Sequence, residues 1–504
     1  TAEDPWLIET AEHLAYLANS VNAGETYTGL YFLVTQDIDL GSYDWEPAGG
    51  FDPGTGLRTT FQGTFDGGSS FITGLTITGT HDYAGLFGYL SNATIRNVRL
   101  TDLNVSVSVL EGGNAGGLAG AISAGGSGSS SITNCSVTGD VTGSTSGGLV
   151  GLISAEGSGS SSSITNCSAT GNVTGGDSVG GLVGSNGAWG GSSSITNCFA
   201  AGAVTGYDHV GGLVGQNSAG IFVIRDRNGL MSQVEGSSSI SNCYATGTVT
   251  GIVTGSYSNP GVGGLVGSND ASGGGSFITN CSAAGDVTGD ISGGLVGSSS
   301  ASDGGSSSVI TSVALNPAVT GSSSGRIIGF SDGTVILTDI YALSTMNASG
   351  ATDGLDVTPA AAAAQTFYED TLGWDFISVW KMDASQSTYP VLRWQSDTSV
   401  PPVPPVPPAP SYSDDNGGAD DGAELLASVG ASATPKPTSK KPVTEPTVPA
   451  TVVPTSGDGT VIPTSSGSSV TPATAPPDAT QGPVPVSGIL AGFGAAIVLG
   501  RKFR

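Results

Sequence analysis

A five-residue string, Gly-Gly-Leu-Val-Gly or Gly-Gly-Leu-Ala-Gly, recurs six times between residues 116 and 297, centred on Leu118, Leu149, Leu182, Leu213, Leu265 and Leu295. The steps are 31, 33, 31, 52 and 30 residues, so one unit is close to 31 residues long. Self-similarity at a fixed period of this size marks a stacked-repeat architecture. Weaker copies at Ala84-Gly85-Leu86-Phe87-Gly88 and Gly325-Arg326-Ile327-Ile328-Gly329 extend the array to eight units.

A second string holds a fixed place in each unit, reading Ile-Thr-Asn-Cys-Ser-Val-Thr-Gly-Asp-Val-Thr-Gly from Ile132 to Gly143, with near copies from Ile164, Ile195, Ile240 and Ile278. Cys135, Val137 and Val141 share one parity, as expected of a strand with one buried face. Helical periodicity is absent from the array. A glycine-rich unit this short cannot bury a face alone, so neighbours must stack. The fold class expected is all-β: a parallel β-solenoid, or β-helix, of about eight coils. Stacking sets equivalent residues about 4.8 Å apart in ladders. The expected ladders are the leucines above, a thiol ladder of Cys135, Cys167, Cys198, Cys243 and Cys281, and an Asn ladder of Asn134, Asn166, Asn197, Asn242 and Asn280. Asparagine suits a corner because it tolerates left-handed backbone.

The chain ends differ from the array. Thr10–Asn22 places Leu14, Leu17 and Val21 on one helical face, with Thr10 as N-cap and Gly24 beyond the end, and reads as a plug on the first coil. Gly373–Phe376, Val379–Met382 and Tyr389–Trp394 hold three of the six tryptophans and read as a second cap. Nineteen of the 26 prolines fall between Pro401 and Pro485, in a Thr/Ser-rich tract expected to be a disordered stalk. The organisation expected is therefore 1–80 cap and first coils, 81–340 solenoid, 341–396 C-terminal cap, 397–485 stalk, and 486–504 a short apolar segment with a basic end.

These features together resemble the GLUG-repeat family, whose members are largely exported surface proteins. The helix, the Asp37-Ile38-Asp39-Leu40 and Phe61–Gly68 strings, the repeats and the Trp-rich ending carry the resemblance over residues 1 to about 396. It implies a cell-surface scaffold rather than an activity. Val486–Gly500 is 15 uncharged residues followed by Arg501-Lys502-Phe503-Arg504. As a helix it would rise about 22 Å, short of the hydrocarbon core. With its Pro/Thr spacer and Ala491-Gly492-Phe493-Gly494 it resembles archaeal C-terminal sorting signals of the PGF-CTERM kind, with Ala491 where that motif has proline. The resemblance implies cleavage and lipid attachment. The start at Thr1 suggests that a leader has been removed. The localisation expected is the cell envelope, anchored by the C-terminus.

Charge narrows the chemistry. There are 14 Lys and Arg against 41 Asp and Glu, a net charge of -27, and only 11% of residues are charged. Nucleic acid and anionic lipid are poor partners for that surface, and membrane contact is expected only through the anchor or a lipid. Lys381 is the single lysine before residue 400, and His13, His81 and His209 form no HExxH pattern. No CxxC pair suggests zinc. No cofactor and no catalytic residue are expected, although paired carboxylates for a polysaccharide-acting β-helix enzyme could come from Asp140 with Asp286 or from the loop holding Asp37, Asp39, Asp44, Glu46 and Asp52. Asp37, Asp39, Asp44, Glu46 and Asp52 fall within 16 residues and form the candidate calcium loop, with hard oxygen ligands but no EF-hand spacing. Asp140, Asn172 and Asp286 repeat at one spot per coil and should satisfy turn backbone. Seven N-x-S/T sequons occur; Asn92, Asn104 and Asn347 are the candidates for glycosylation because the Asn-Cys-Ser amides belong to a ladder.

The 52-residue step carries an apolar run, Ile221–Ile224, followed by Asn228-Gly229, which reads as a protruding hairpin. Phe222, Arg225 and Arg227 make it the candidate docking loop, with a second excursion at 251–260. Two readings follow. The chain is a structural rod that packs with copies of itself into an envelope layer, sheath or coat, or it is an adhesin that presents its loops to surface glycans.

Overall fold

The computed structural model describes residues 1–52, 56–108, 113–225, 231–252, 261–348 and 354–396. It is a parallel β-solenoid, as the period requires. One wall is an eleven-stranded sheet running from Trp6–Ile8 to Val335–Thr338, and two further walls contain eight successive parallel strands each, one per repeat. The remaining wall consists of two ladders that share the long strands Arg99–Val107 and Ser136–Gly143, so it is one bent sheet. The eight repeat-bearing coils are flanked by additional turns, at the N-terminal end from Trp6–Ile8, Tyr31–Val34 and Thr64–Asp66.

Register follows the repeat residue for residue. Ile132, Ile164, Ile195, Ile240, Ile278 and Val309 pair in sequence along the eleven-stranded wall. All six repeat leucines are fully buried. The second glycine of each motif explains why the string is invariant in form. A Cβ on Gly181 would lie 2.2 Å from the Gly212 carbonyl oxygen, on Gly212 2.1 Å from that of Gly264, and on Gly264 2.2 Å from that of Gly294. Any side chain here would hold successive coils apart. In the last unit that position is Arg326, where no further coil of the array follows. Its guanidinium donates to the Ala342 and Leu343 carbonyls at 2.9 and 3.2 Å and pairs with Asp356 at 2.8 Å. A residue impossible inside the array marks its end.

The helix at Ala11–Asn22 closes the other end, with the Thr10 hydroxyl accepting the His13 N–H at 3.3 Å. Its Leu14, Leu17 and Val21 join one continuous core with Phe32, Phe61 and the repeat leucines. The Trp-rich segment behaves differently from a simple plug. It folds back along the flank of the solenoid: Trp394 Nε1 donates to the Asn197 carbonyl at 3.0 Å, Trp374 Nε1 to the Thr311 carbonyl at 2.8 Å, and the Tyr244 hydroxyl to Gln395 at 2.9 Å. Trp374 stacks on Trp380 with centroids 4.5 Å apart, and Phe199 stacks on Tyr244 beneath them. Burial of this aromatic cluster supplies the adhesion that a glycine-rich wall lacks.

Adding one methyl at the coil contact should be costly, whereas a change on the outer wall should not. Gly212→Ala is expected to lose about 1–3 kcal/mol or more, and the exposed Thr174→Ser to stay within about 0.5 kcal/mol. Thermal melting of both variants checks this; equal midpoints would refute the contact argument.

Candidate functional site

One corner of five successive coils is built by an asparagine held in left-handed backbone, with φ of 54°, 53°, 54°, 52° and 54° at Asn134, Asn166, Asn197, Asn242 and Asn280. Asn166 Nδ2 donates to Asn134 Oδ1 at 3.2 Å and Asn280 Nδ2 to Asn242 Oδ1 at 3.1 Å. The row continues beyond the repeats through Asn97 and Asp66, which bond at 2.9 Å. Cysteine follows at the first inward position. The backbone N–H of Cys135 donates to Cys167 Sγ at 3.3 Å, that of Cys167 to Cys198 Sγ at 3.4 Å, and that of Cys198 to Cys243 Sγ at 3.4 Å. All five thiols are free and buried. Burial pushes the thiols of Cys135, Cys167, Cys198 and Cys243 well up from their ordinary range, so they are poor nucleophiles.

A third ladder, absent from the sequence reading, lies inside. At the register of Ile122 and Ile153 the later coils carry Asn186, Asn217 and Asn269. Asn186 Nδ2 donates to Asn217 Oδ1 at 2.8 Å, Asn217 Nδ2 to Asn269 Oδ1 at 2.7 Å, and Asn269 Nδ2 to Ser307 Oγ at 2.7 Å. Stacking converts a buried amide, costly alone, into a satisfied chain.

The candidate acids are engaged one by one. Asp37 accepts the Phe71 N–H and Asp39 the Gly41 N–H, both within 2.9 Å. Asp44 and Glu46 are exposed, and the Asp52 side chain lies outside the described residues. Among the described residues no three metal-ligating side chains come together. Asp140 accepts the Asn172 N–H at 2.9 Å and Asp286 the Ala318 N–H at 3.1 Å, so each caps the turn of the following coil. They are four coils apart and make no pair across a groove. Of the sequons, Asn92 lies in left-handed backbone and accepts the Gly125 N–H at 3.4 Å, which engages its amide as in the ladder, whereas Asn104 and Asn347 are exposed.

The long unit does form an antiparallel hairpin, Val214–Arg225 with Met231–Glu235. Phe222 packs at Gly190 and Ile221 at Gly273, which roots the ribbon in the coils on either side. Val223 and Met231 stand 51% and 58% exposed. The side chain of Arg225, and Arg227 with residues 253–260, lie outside the described residues.

The family model for the GLUG motif matches residues 175–205 and 206–250. The chain carries GLUG motifs. Over 110 residues, 21% of this chain, it is 40% identical to a protein of Evansella cellulosilytica provisionally named a Gly-rich membrane protein. The chain spans only 12% of that relative. A solved structure from Bacteroides ovatus, provisionally named an immunoglobulin A1 protease, aligns over 78% of this chain and 94% of its own at 18% identity and a TM-score of 0.37. That likeness is too distant to carry an argument. No helix among the described residues of this GLUG solenoid is long and apolar enough to cross a membrane; the apolar segment 486–504 lies outside them.

Two consequences are measurable. The five GLUG-array thiols should resist a maleimide reagent in the native chain and all react after unfolding; rapid native labelling would contradict the ladder. Burial raises the Asp208 carboxyl, 3.6 Å from His209, above its ordinary range. A raised acid destabilises the fold when ionised, so this cost falls as pH drops through the folded pKa towards the unfolded value of about 3.9. Asp208→Asn should therefore raise Tm at pH 7 and lose that advantage near pH 4, by parallel thermal melts.

Proposed function

We propose that this chain is a non-enzymatic structural protein of the cell envelope, a rod that packs with its own copies into a layer, sheath or coat. The observation that carries the reading is the use made of polar side chains: the interior amide row, the thiols and the turn carboxylates are engaged along the stack, leaving repetitive, weakly charged walls outward. Such walls suit repeated packing rather than recognition of one small ligand. An external location accords with the relative's description as a membrane protein, and the C-terminal tail would supply the tether. Self-association is the partner expected, with no cofactor.

A second reading, an adhesin for surface glycans, is favoured by the apolar hairpin, since exposed apolar side chains on a protruding ribbon mark contact sites. A polysaccharide-acting enzyme would need two carboxylates facing one groove. Among the described residues, the cavity of about 570 Å³ at the last coil is lined by one carboxylate, Asp356, and it pairs with Arg326.

Electron microscopy of the full chain at rising concentration separates the readings. Ordered arrays that persist in Val223→Asp/Met231→Asp are expected. Isolated rods at every concentration, together with glycan binding lost in that double variant, would replace the structural reading with the adhesin.

A further inference from the structure

The outer walls of the solenoid are unequal. The flank carrying Phe199, Tyr244, Val313 and Tyr341 is covered by the C-terminal aromatic segment. The wall continuing into Val214–Arg225 is interrupted by the hairpin. Among the described residues the eleven-stranded wall carries no such cover, and over four successive coils its outward positions form a regular grid. In Ser129–Thr133, Ser161–Thr165, Ser192–Thr196 and Ser237–Ser241 the first, third and fifth residues face out, giving twelve hydroxyls and no charge. The central row is Ser131, Ser163, Ser194 and Ser239, in register across adjacent strands. Among the described residues the hydroxyls of Ser163, Ser194 and Ser239 have no hydrogen-bond partner, whereas the inward hydroxyls of the same strands do: Ser162 donates to the Ser154 carbonyl at 2.6 Å, and Ser238 bonds Ser276 at 3.1 Å.

We propose that this Ser/Thr wall is the lateral contact between two copies of the chain, paired face to face. The inference rests on the structural reading and adds the face and the partner to it. Three observations select a second copy. In a chain of net charge -27, this uncharged wall lets two molecules approach without like-charge repulsion. Over four strands its small side chains leave a flat surface on which sheets pack closely, and the half-buried Phe277 ring continues the central row on the fifth. Above all, a hydroxyl grid repeating every 4.8 Å or so is matched row by row by a partner with the same repeat, and another copy of the wall has that spacing by construction. The contact is isologous, so it closes at two rods.

Area sets its strength. Six strands of five residues, from Ser129–Thr133 to Ser306–Ile310, cover roughly 29 by 16 Å, or about 950 Å² in total for two copies. That lies just below the range of standard stable interfaces. Pairing is therefore reversible in dilute solution and becomes persistent where an anchor concentrates the rods.

The test uses the full chain with Ser163→Arg/Ser194→Arg, which sets two cations in the middle of the wall, and Ser163→Thr/Ser194→Thr, which keeps the hydroxyls. Sedimentation velocity of the unaltered chain should show a concentration-dependent dimer. The Thr variant should retain it, and the Arg variant should weaken it at least tenfold with unchanged circular dichroism and Tm. If the Arg variant dimerises as well as the unaltered chain, this face is wrong while self-assembly stands. If the unaltered chain shows no association at any concentration and forms no arrays, both this contact and the structural reading fail.

Discussion

The contact between one coil's backbone and the second glycine of the neighbouring motif is the constraint from which the rest of the molecule follows. It removes a side chain from one position in every turn and brings two main chains to contact distance at the same place in each coil. Once that spacing is set, equivalent residues must lie above one another, and every other position becomes a ladder. The contact also determines where the array can stop. Arg326 fits only because no further coil of the array presses on it, and its guanidinium then bonds the carbonyls that such a coil would have approached.

Ladders change the cost of polar residues. A single buried Asn in a small core is a liability, because its amide has four hydrogen-bonding positions to satisfy. Repeated every coil, the same side chain donates up the stack and accepts from below. This is how Asn186, Asn217 and Asn269 occupy a wall that begins as Ile122 and Ile153 without opening the core. The thiols behave likewise, those of Cys135, Cys167, Cys198 and Cys243 each accepting a backbone N–H from the preceding coil. Stability therefore comes from many weak, directional contacts along the axis, which suits a chain with so few bulky residues.

Much of this was legible from period and parity. The repeat step implied stacking, the alternation placed Cys135 and Val141 inward, and Asn at a fixed corner implied left-handed backbone. The interior amide row was not legible, because a polar residue at an inward position looks the same in sequence as one facing water; only its neighbours along the stack distinguish them. The docking of the Trp-rich segment did leave a trace. Phe199, Tyr244 and Tyr341 stand where other coils have Ser136, Ser168 or Ser282, and aromatic breaks in a serine row indicate a covered flank. The acid loop shows the converse, that closeness in sequence does not fix where side chains point. Asp37 and Asp39 are close in sequence, but alternation and turn capping direct them to separate backbone donors.

A solenoid built from near-identical coils would have near-identical walls, and nothing in the repeat would then decide how two rods meet. Departures from the repeat make the walls unequal. Aromatic insertions recruit the chain's own C-terminal segment to one flank, and a long insertion in a single unit raises a ribbon from another. The eleven-stranded wall is left with a grid of small hydroxyls over four coils, bounded by Phe277 on the next. Its regularity would be an accident of low-complexity sequence if its side chains were engaged within the coil, as those of the inward row are. Three of the four central outward hydroxyls, those of Ser163, Ser194 and Ser239, are not engaged among the described residues, so on the structural reading the regularity of that wall is directed away from the fold and towards a neighbour with a matching repeat.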